Sequence, residues 1–168
     1  MTADGTDAAA AIAAVLADAR RRLVGSPRER LGELQEGRRT LGIPRAPRIV
    51  PRGEAWHLGV LLLGDETVLA TGDVVRSHAE VRRGFAAESQ RRRAELAAAA
   101  ARGGVPEGEV VHIGWHPVDL ADVGPRASPL AVRDGRALVR WSAAGGYMPL
   151  ARYLDERIEL LHHPPERA

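Results

Sequence analysis

An Asp-Gly pair at 134–135, set between the apolar runs Leu130–Val132 and Ala137–Trp141, constrains this chain more than any other stretch. Asp and Gly tolerate the left-handed backbone that a two-residue hairpin turn requires, so the C-terminal part must contain antiparallel sheet. Directly after it, Pro149 is suited to open a helix whose Leu150, Tyr153, Leu154, Ile158 and Leu161 fall on one face. A second pair of strands is expected upstream, Trp56–Leu63 and Thr67–Val75, joined by Gly64, Asp65 and Glu66. Ser77 and Glu80 have the spacing of a capping box, predicting a helix from His78 to Arg102 closed by Gly103 and Gly104. Val110–His116 alternates as a further strand.

Nearer the N-terminus, Ile12, Val15, Leu16, Ala19 and Leu23 follow a helical rhythm, and a short second helix is expected over Pro27–Gln35. Gly37–Gly53 gathers glycine and proline with few periodic apolar positions and reads as a linker. The expected organisation is therefore a helical arm and linker over 1–46, followed by an α+β domain over 47–168. That domain should have a mainly antiparallel sheet of about five strands, a long central helix and a C-terminal helix.

Composition narrows the chemistry. All 24 basic side chains are arginines, and Lys, Cys and Asn are absent. That excludes a Schiff-base lysine, a Walker-type phosphate loop, an SxxK or Cys nucleophile, and thiolate metal sites. Aromatics make up only 4% of the chain, so Leu, Val and Ala supply most of the core, with Trp56, Trp115 and Trp141 expected as its anchors. With no Cys and no leading basic, apolar segment, the expected compartment is the cytoplasm, and the apolar runs are too short to span a bilayer. The 22 acidic residues leave a formal net charge of +2. The arginine runs Arg20–Arg22, Arg38–Arg39, Arg82–Arg83 and Arg91–Arg93 wrap around helices and form no stripe, which argues against nucleic acid as a partner.

Several side chains remain as candidates. If Leu63 opposes Thr67 in the expected hairpin, His57 lies opposite Asp73, away from an apolar face formed by Trp56, Leu58, Val60 and Leu62 with Val68, Ala70, Gly72 and Val74. Such a pair fits a structural hydrogen bond, acid/base catalysis, or part of a two-His, one-carboxylate metal site. His112 and His116 share the polar side of the next expected strand, about 13 Å apart, so at most one could join them. Arg92 lands on the core side of the central helix, between Val81 and Phe85, where it either snorkels past the rim or pairs with a buried acid such as Asp73. His57 and Asp73 are thus the catalytic candidates, and Arg92, His112 and His116 the substrate-binding ones. No metal or cofactor is assigned.

Trp56-His57-Leu58-Gly59 before Leu61–Leu63, Ala70-Thr71-Gly72, Arg102-Gly103-Gly104 with Gly108-Glu109, Pro129–Gly135, Leu150–Leu154 and the His-Pro-Pro tail together resemble a group of small uncharacterised actinobacterial proteins, some labelled glutaminase. The resemblance spans roughly Arg48 to Pro165 and implies one domain with a variable N-terminal arm. Without Lys or Cys, a glutaminase-like hydrolase would need a metal-bound or base-activated water, with His57 and Asp73 as first suspects. The leading expectation is a small domain that binds or assembles without turnover; the rival is that hydrolase of small amides. The apolar stripe of the N-terminal helix should dock on its own sheet or on a second copy, the second case giving a homo-oligomer through that helix.

Overall fold

The computed structural model describes residues 3–37, 39–40, 43–79, 87–123, 128–142, 144 and 146–165. The architecture is α+β, and the chain divides into two compact units. The first comprises residues 1–28, 56–70 and 116–168; the second comprises 29–55 and 71–115. The expected boundary at residue 46 therefore falls inside the second unit. Among the described residues, no helix is long and apolar enough to cross a membrane.

In chain order the elements are α1 (Ala3–Leu23), β1 (Glu29–Gln35), β2 (Arg39–Thr40), β3 (Ile43–Pro44), β4 (Arg48–Leu58), β5 (Leu61–Leu63), β6 (Val68–Ala70) and β7 (Asp73–Arg76). There follow α2 (Glu88–Arg102), β8 (Val110–Ile113), β9 (His116–Pro117), β10 (Leu130–Arg133), β11 (Arg136–Arg140), β12 (Tyr147–Pro149) and α3 (Leu150–His162). In place of about five mainly antiparallel strands, seven are linked through β4, and β1 runs parallel to β8. The remaining described strands form a three-stranded antiparallel sheet, β10-β11-β12, and the β2–β3 pair.

In the second unit the strand order is β7-β8-β1-β4. Residues 29–35 form a strand where a helix was expected, because Leu31 and Leu34 mimic helical spacing while Gly32 answers a different demand. A Cβ at Gly32 would stand 2.6 Å from Ile49 Cγ2 and 2.7 Å from Val111 Cγ2, so the neighbouring strands close over a bare backbone. A register shift between Leu31 and Gly32 places Gly32 opposite Pro51 and Leu31 opposite Gly53, whose φ is +144°. This irregularity lets β4 contain a proline and a glycine, the residues that make its first half resemble a linker.

α2 covers this sheet with Leu96, Ala97, Ala99 and Ala100 against Ile49, Val75, Val111 and Ile113. It begins at Glu88, not at His78. The Ser77 hydroxyl donates to the Val105 carbonyl at 2.9 Å and caps no helix; its expected partner Glu80 lies outside the described residues, as do Val81 and Phe85.

The first unit is built around α1 and α3. Ile12, Leu16, Ala19 and Leu23 of α1 enter one core with Leu150, Tyr153, Leu154 and Ile158 of α3 and with Trp56, Leu58, Leu61, Leu63, Leu130 and Val139. The last residues of β4 pair with β5, and the order continues β5-β6-β9. Arg20 of α1 donates to the carbonyls of Gly64 and Thr67 at 2.8 and 3.1 Å, tying the helix to the β5–β6 turn. The hairpin at Asp134-Gly135 forms as expected, with φ of +50° and +69° at its two central residues and Arg133 opposite Arg136. α3 begins directly after Pro149, also as expected. Of the three tryptophans, Trp56 is buried and Trp115 is half-buried with its indole N–H on the Gly32 carbonyl, whereas Trp141 is 50% exposed and anchors no core.

Candidate functional site

The expected pairing of His57 with Asp73 does not form. Gly59, at φ +68°, and Val60 turn the chain between β4 and β5, so the expected strand 56–63 is itself a hairpin in which His57 lies opposite Leu62. The next turn pairs Leu63 with Val68, not with Thr67. Gly72 ends the other expected strand, and Asp73 begins β7 opposite Ile113 of β8. A Cβ at Gly72 would lie 2.3 Å from the Ile113 carbonyl oxygen, so glycine is required for that approach. Each misread strand thus contains a glycine that redirects the backbone, and each redirection changes the partner of the residue of interest.

Tyr153 fixes the first of these turns. Its hydroxyl donates to the Leu58 carbonyl at 2.9 Å and accepts the Val60 N–H at 2.8 Å, satisfying both sides of a turn held inside the core. His57 Nε2 lies 3.1 Å from the Gly59 carbonyl oxygen, so the imidazole is drawn toward the same turn.

His112 and His116 also separate. Gly114, at φ +66°, breaks the expected strand into β8 and β9. His116 is exposed and opposite Ala70. His112 is fully buried at 0% exposure, and its Nε2 meets the Glu29 carboxylate at 2.5 Å. A carboxylate on one ring nitrogen fixes the orientation of an imidazole and offsets part of the cost of burying it. The pairing follows from the parallel register of Leu31 with His112, which brings the start of β1 alongside β8. Sequence reasoning missed Glu29 because it assigned residues 27–35 to a helix; the available signal was Gly32, a poor helix residue at the centre of that segment. Arg92 is exposed on α2, which excludes the buried reading; Val81 and Phe85, between which it was placed, lie outside the described residues.

The second unit contains an open groove of about 670 Å³ lined by Glu33, Gln35, Glu36, Arg45 and Arg48, among others. The first contains one of about 320 Å³ between α1 and α3, lined by Ala14, Val15, Asp18, Arg22, Ala151 and Asp155, among others. None of His57, Asp73, Arg92, His112 or His116 lines either groove.

The remaining organised charges brace the scaffold. Arg28 stacks over the Trp56 ring at 4.0 Å and forks onto Asp65 at 2.5 and 3.0 Å. The hydrogen bond from Arg28 holds the Asp65 carboxyl below the usual carboxylate range. In the second unit, hydrogen bonds from His78 and from the Ala79 N–H do the same for Glu107. A carboxyl depressed in the folded state contributes stability above its unfolded pKa and loses it as pH falls through the folded value. The stability gap between the wild type and Asp65→Asn should therefore be fully open above about pH 5 and close below about pH 4, as read from urea unfolding across pH. A gap that stays constant down to pH 2 would remove this role from the Arg28–Asp65 pair.

Comparison of the chain with family models, with curated proteins and with solved structures finds no match.

Proposed function

We propose that this chain is a binding module that works without catalytic turnover. The observation that carries the reading is the register at β4: His57 faces Leu62, while Asp73 faces Ile113. Acid/base catalysis by that pair needs the carboxylate within hydrogen-bond reach of the imidazole, and the ladder sets His57 and Asp73 against different strands. The most deeply set imidazole, His112, is enclosed by the fold and tied to Glu29, which suits it to holding β1 and β8 in place and not to meeting a substrate. Tyr153, Arg20 and Arg28 likewise serve main chain or core packing. The polar chemistry is directed at rigidity, the property a recognition surface needs.

The direct test is ammonia release from glutamine, asparagine and small primary amides by the purified full chain. The expected result is release no faster than with heat-denatured protein. Sustained turnover that is abolished by His57→Ala would overturn the proposal and restore the glutaminase-like hydrolase.

A further inference from the structure

We infer that the outer face of the three-stranded sheet in the first unit is a docking surface for single-stranded nucleic acid, whose phosphates meet Arg133, Arg136 and Arg140. This inference rests on the reading of the chain as a binding module and names its partner class.

The register assigns the two faces of this sheet. Leu130, Val132, Ala137, Val139 and Met148 belong to or pack against the core of the first unit. Alternation then puts Arg133, Arg136, Leu138, Arg140 and Tyr147 together on the opposite face. The arginine runs that argued against nucleic acid lie elsewhere in the chain; these three are separated in sequence and joined only by the pairing of β10, β11 and β12. Residues 128–149 carry three arginines against one aspartate, a net +2 that equals the formal charge of the whole chain.

Two features mark the face as prepared for an anion. Arg133 and Arg136 are direct cross-strand partners, and like charges placed opposite one another destabilise a sheet until something neutralises them. Among the described residues, Arg133, Arg136 and Arg140 form no ion pair, whereas Arg21, Arg22, Arg28 and Arg152 of the same unit each have a carboxylate. Among the described residues, no acid compensates this cluster.

The arrangement favours a single strand. Arg133 reaches across β11 to lie 4.7 Å from the centre of the half-buried Tyr147 ring, and its guanidinium, covering that ring, is the plane on which an unpaired base can stack. Arg136 and Arg140 stand four residues apart on β11, a span of about 13 Å that a short run of phosphates can follow. Entry into a duplex major groove calls for a helix or a two-stranded ribbon, which is narrower than this sheet. An anionic membrane would be met by protruding apolar side chains, but Ala131 is buried and Leu138 only partly exposed.

The test is fluorescence anisotropy of labelled oligothymidylate and oligouridylate with the full chain, in parallel with sedimentation on phosphatidylserine vesicles. The expected result is oligonucleotide binding that weakens up to about 20-fold between 50 and 200 mM salt, the change for about three phosphate contacts on a single strand. Arg136→Ala with Arg140→Ala should abolish it or flatten its salt dependence. The double change Arg91→Ala with Arg93→Ala, which removes equal charge from exposed positions of α2, should leave it unchanged. Arg133→Gln serves as a second surface variant, and unchanged thermal unfolding confirms that each variant folds. Absence of oligonucleotide binding, equal loss with the α2 variant, or binding to vesicles alone would each overturn the inference. Amide turnover, measured separately, would instead strike at the binding-module reading.

Discussion

Replacing Leu16 by alanine should lower the free energy of unfolding by about 3 kcal/mol, among the largest effects a single side chain in this protein can have. Leu16 sits at the middle of the α1 stripe and is 1% exposed, packed in one core with α3, β5, β10 and β11. Truncation removes the transfer energy of the lost methyl and methylene groups and leaves a cavity that a close-packed interior only partly refills. For a chain of this size the change corresponds to a drop of about 6–12 °C in Tm. A helix tethered as an arm would give a change near zero, so urea unfolding of Leu16→Ala separates the two pictures. An effect below about 0.5 kcal/mol would return α1 to the role of a loose appendage.

The second large effect is expected at the β4–β5 turn. Gly59→Ala should cost about 3 kcal/mol, because two penalties fall on one residue. The left-handed φ of +68° costs a residue with a Cβ about 1–2 kcal/mol. The new Cβ would also stand 2.2 Å from the Tyr153 hydroxyl, displacing it from the Leu58 carbonyl and the Val60 N–H. Tyr153→Phe alone should cost about 2 kcal/mol, since it leaves those two groups in the core without that hydroxyl partner. The double variant should lose less than the sum, because the phenyl ring has no oxygen for the alanine to strike. Strict additivity in a double-mutant cycle would show that the clash and the hydrogen bonds are not the same interaction.

These two sites also show where the sequence is legible. The stripe of α1, the Asp134-Gly135 hairpin and the start of α3 after Pro149 each rest on local signals, and each forms where expected. The misread strands share one physical origin. Gly32, Gly59, Gly72 and Gly114 lie where a strand closes on its neighbour or where the backbone turns through positive φ, and neither condition is written in apolar periodicity. Reading through Gly59 and Gly72 as ordinary strand residues produced the His57–Asp73 pair. Reading Glu29–Gln35 as a helix hid the parallel neighbour that gives His112 its carboxylate. The arginines at 133, 136 and 140 were visible in the sequence, but their meeting depends on which face the core takes, and that is decided by long-range packing.

The interleaving of the two units has a temporal consequence. Synthesis from the N-terminus makes every residue of the second unit by Trp115, so its sheet and α2 can close before α3 has emerged from the ribosome. The α1 stripe must wait for α3, made later, and meanwhile presents an oily flank to the cell. A nascent chain whose Trp115 has emerged while α3 has not would be the natural client of a holding chaperone, and its release should follow completion of α3.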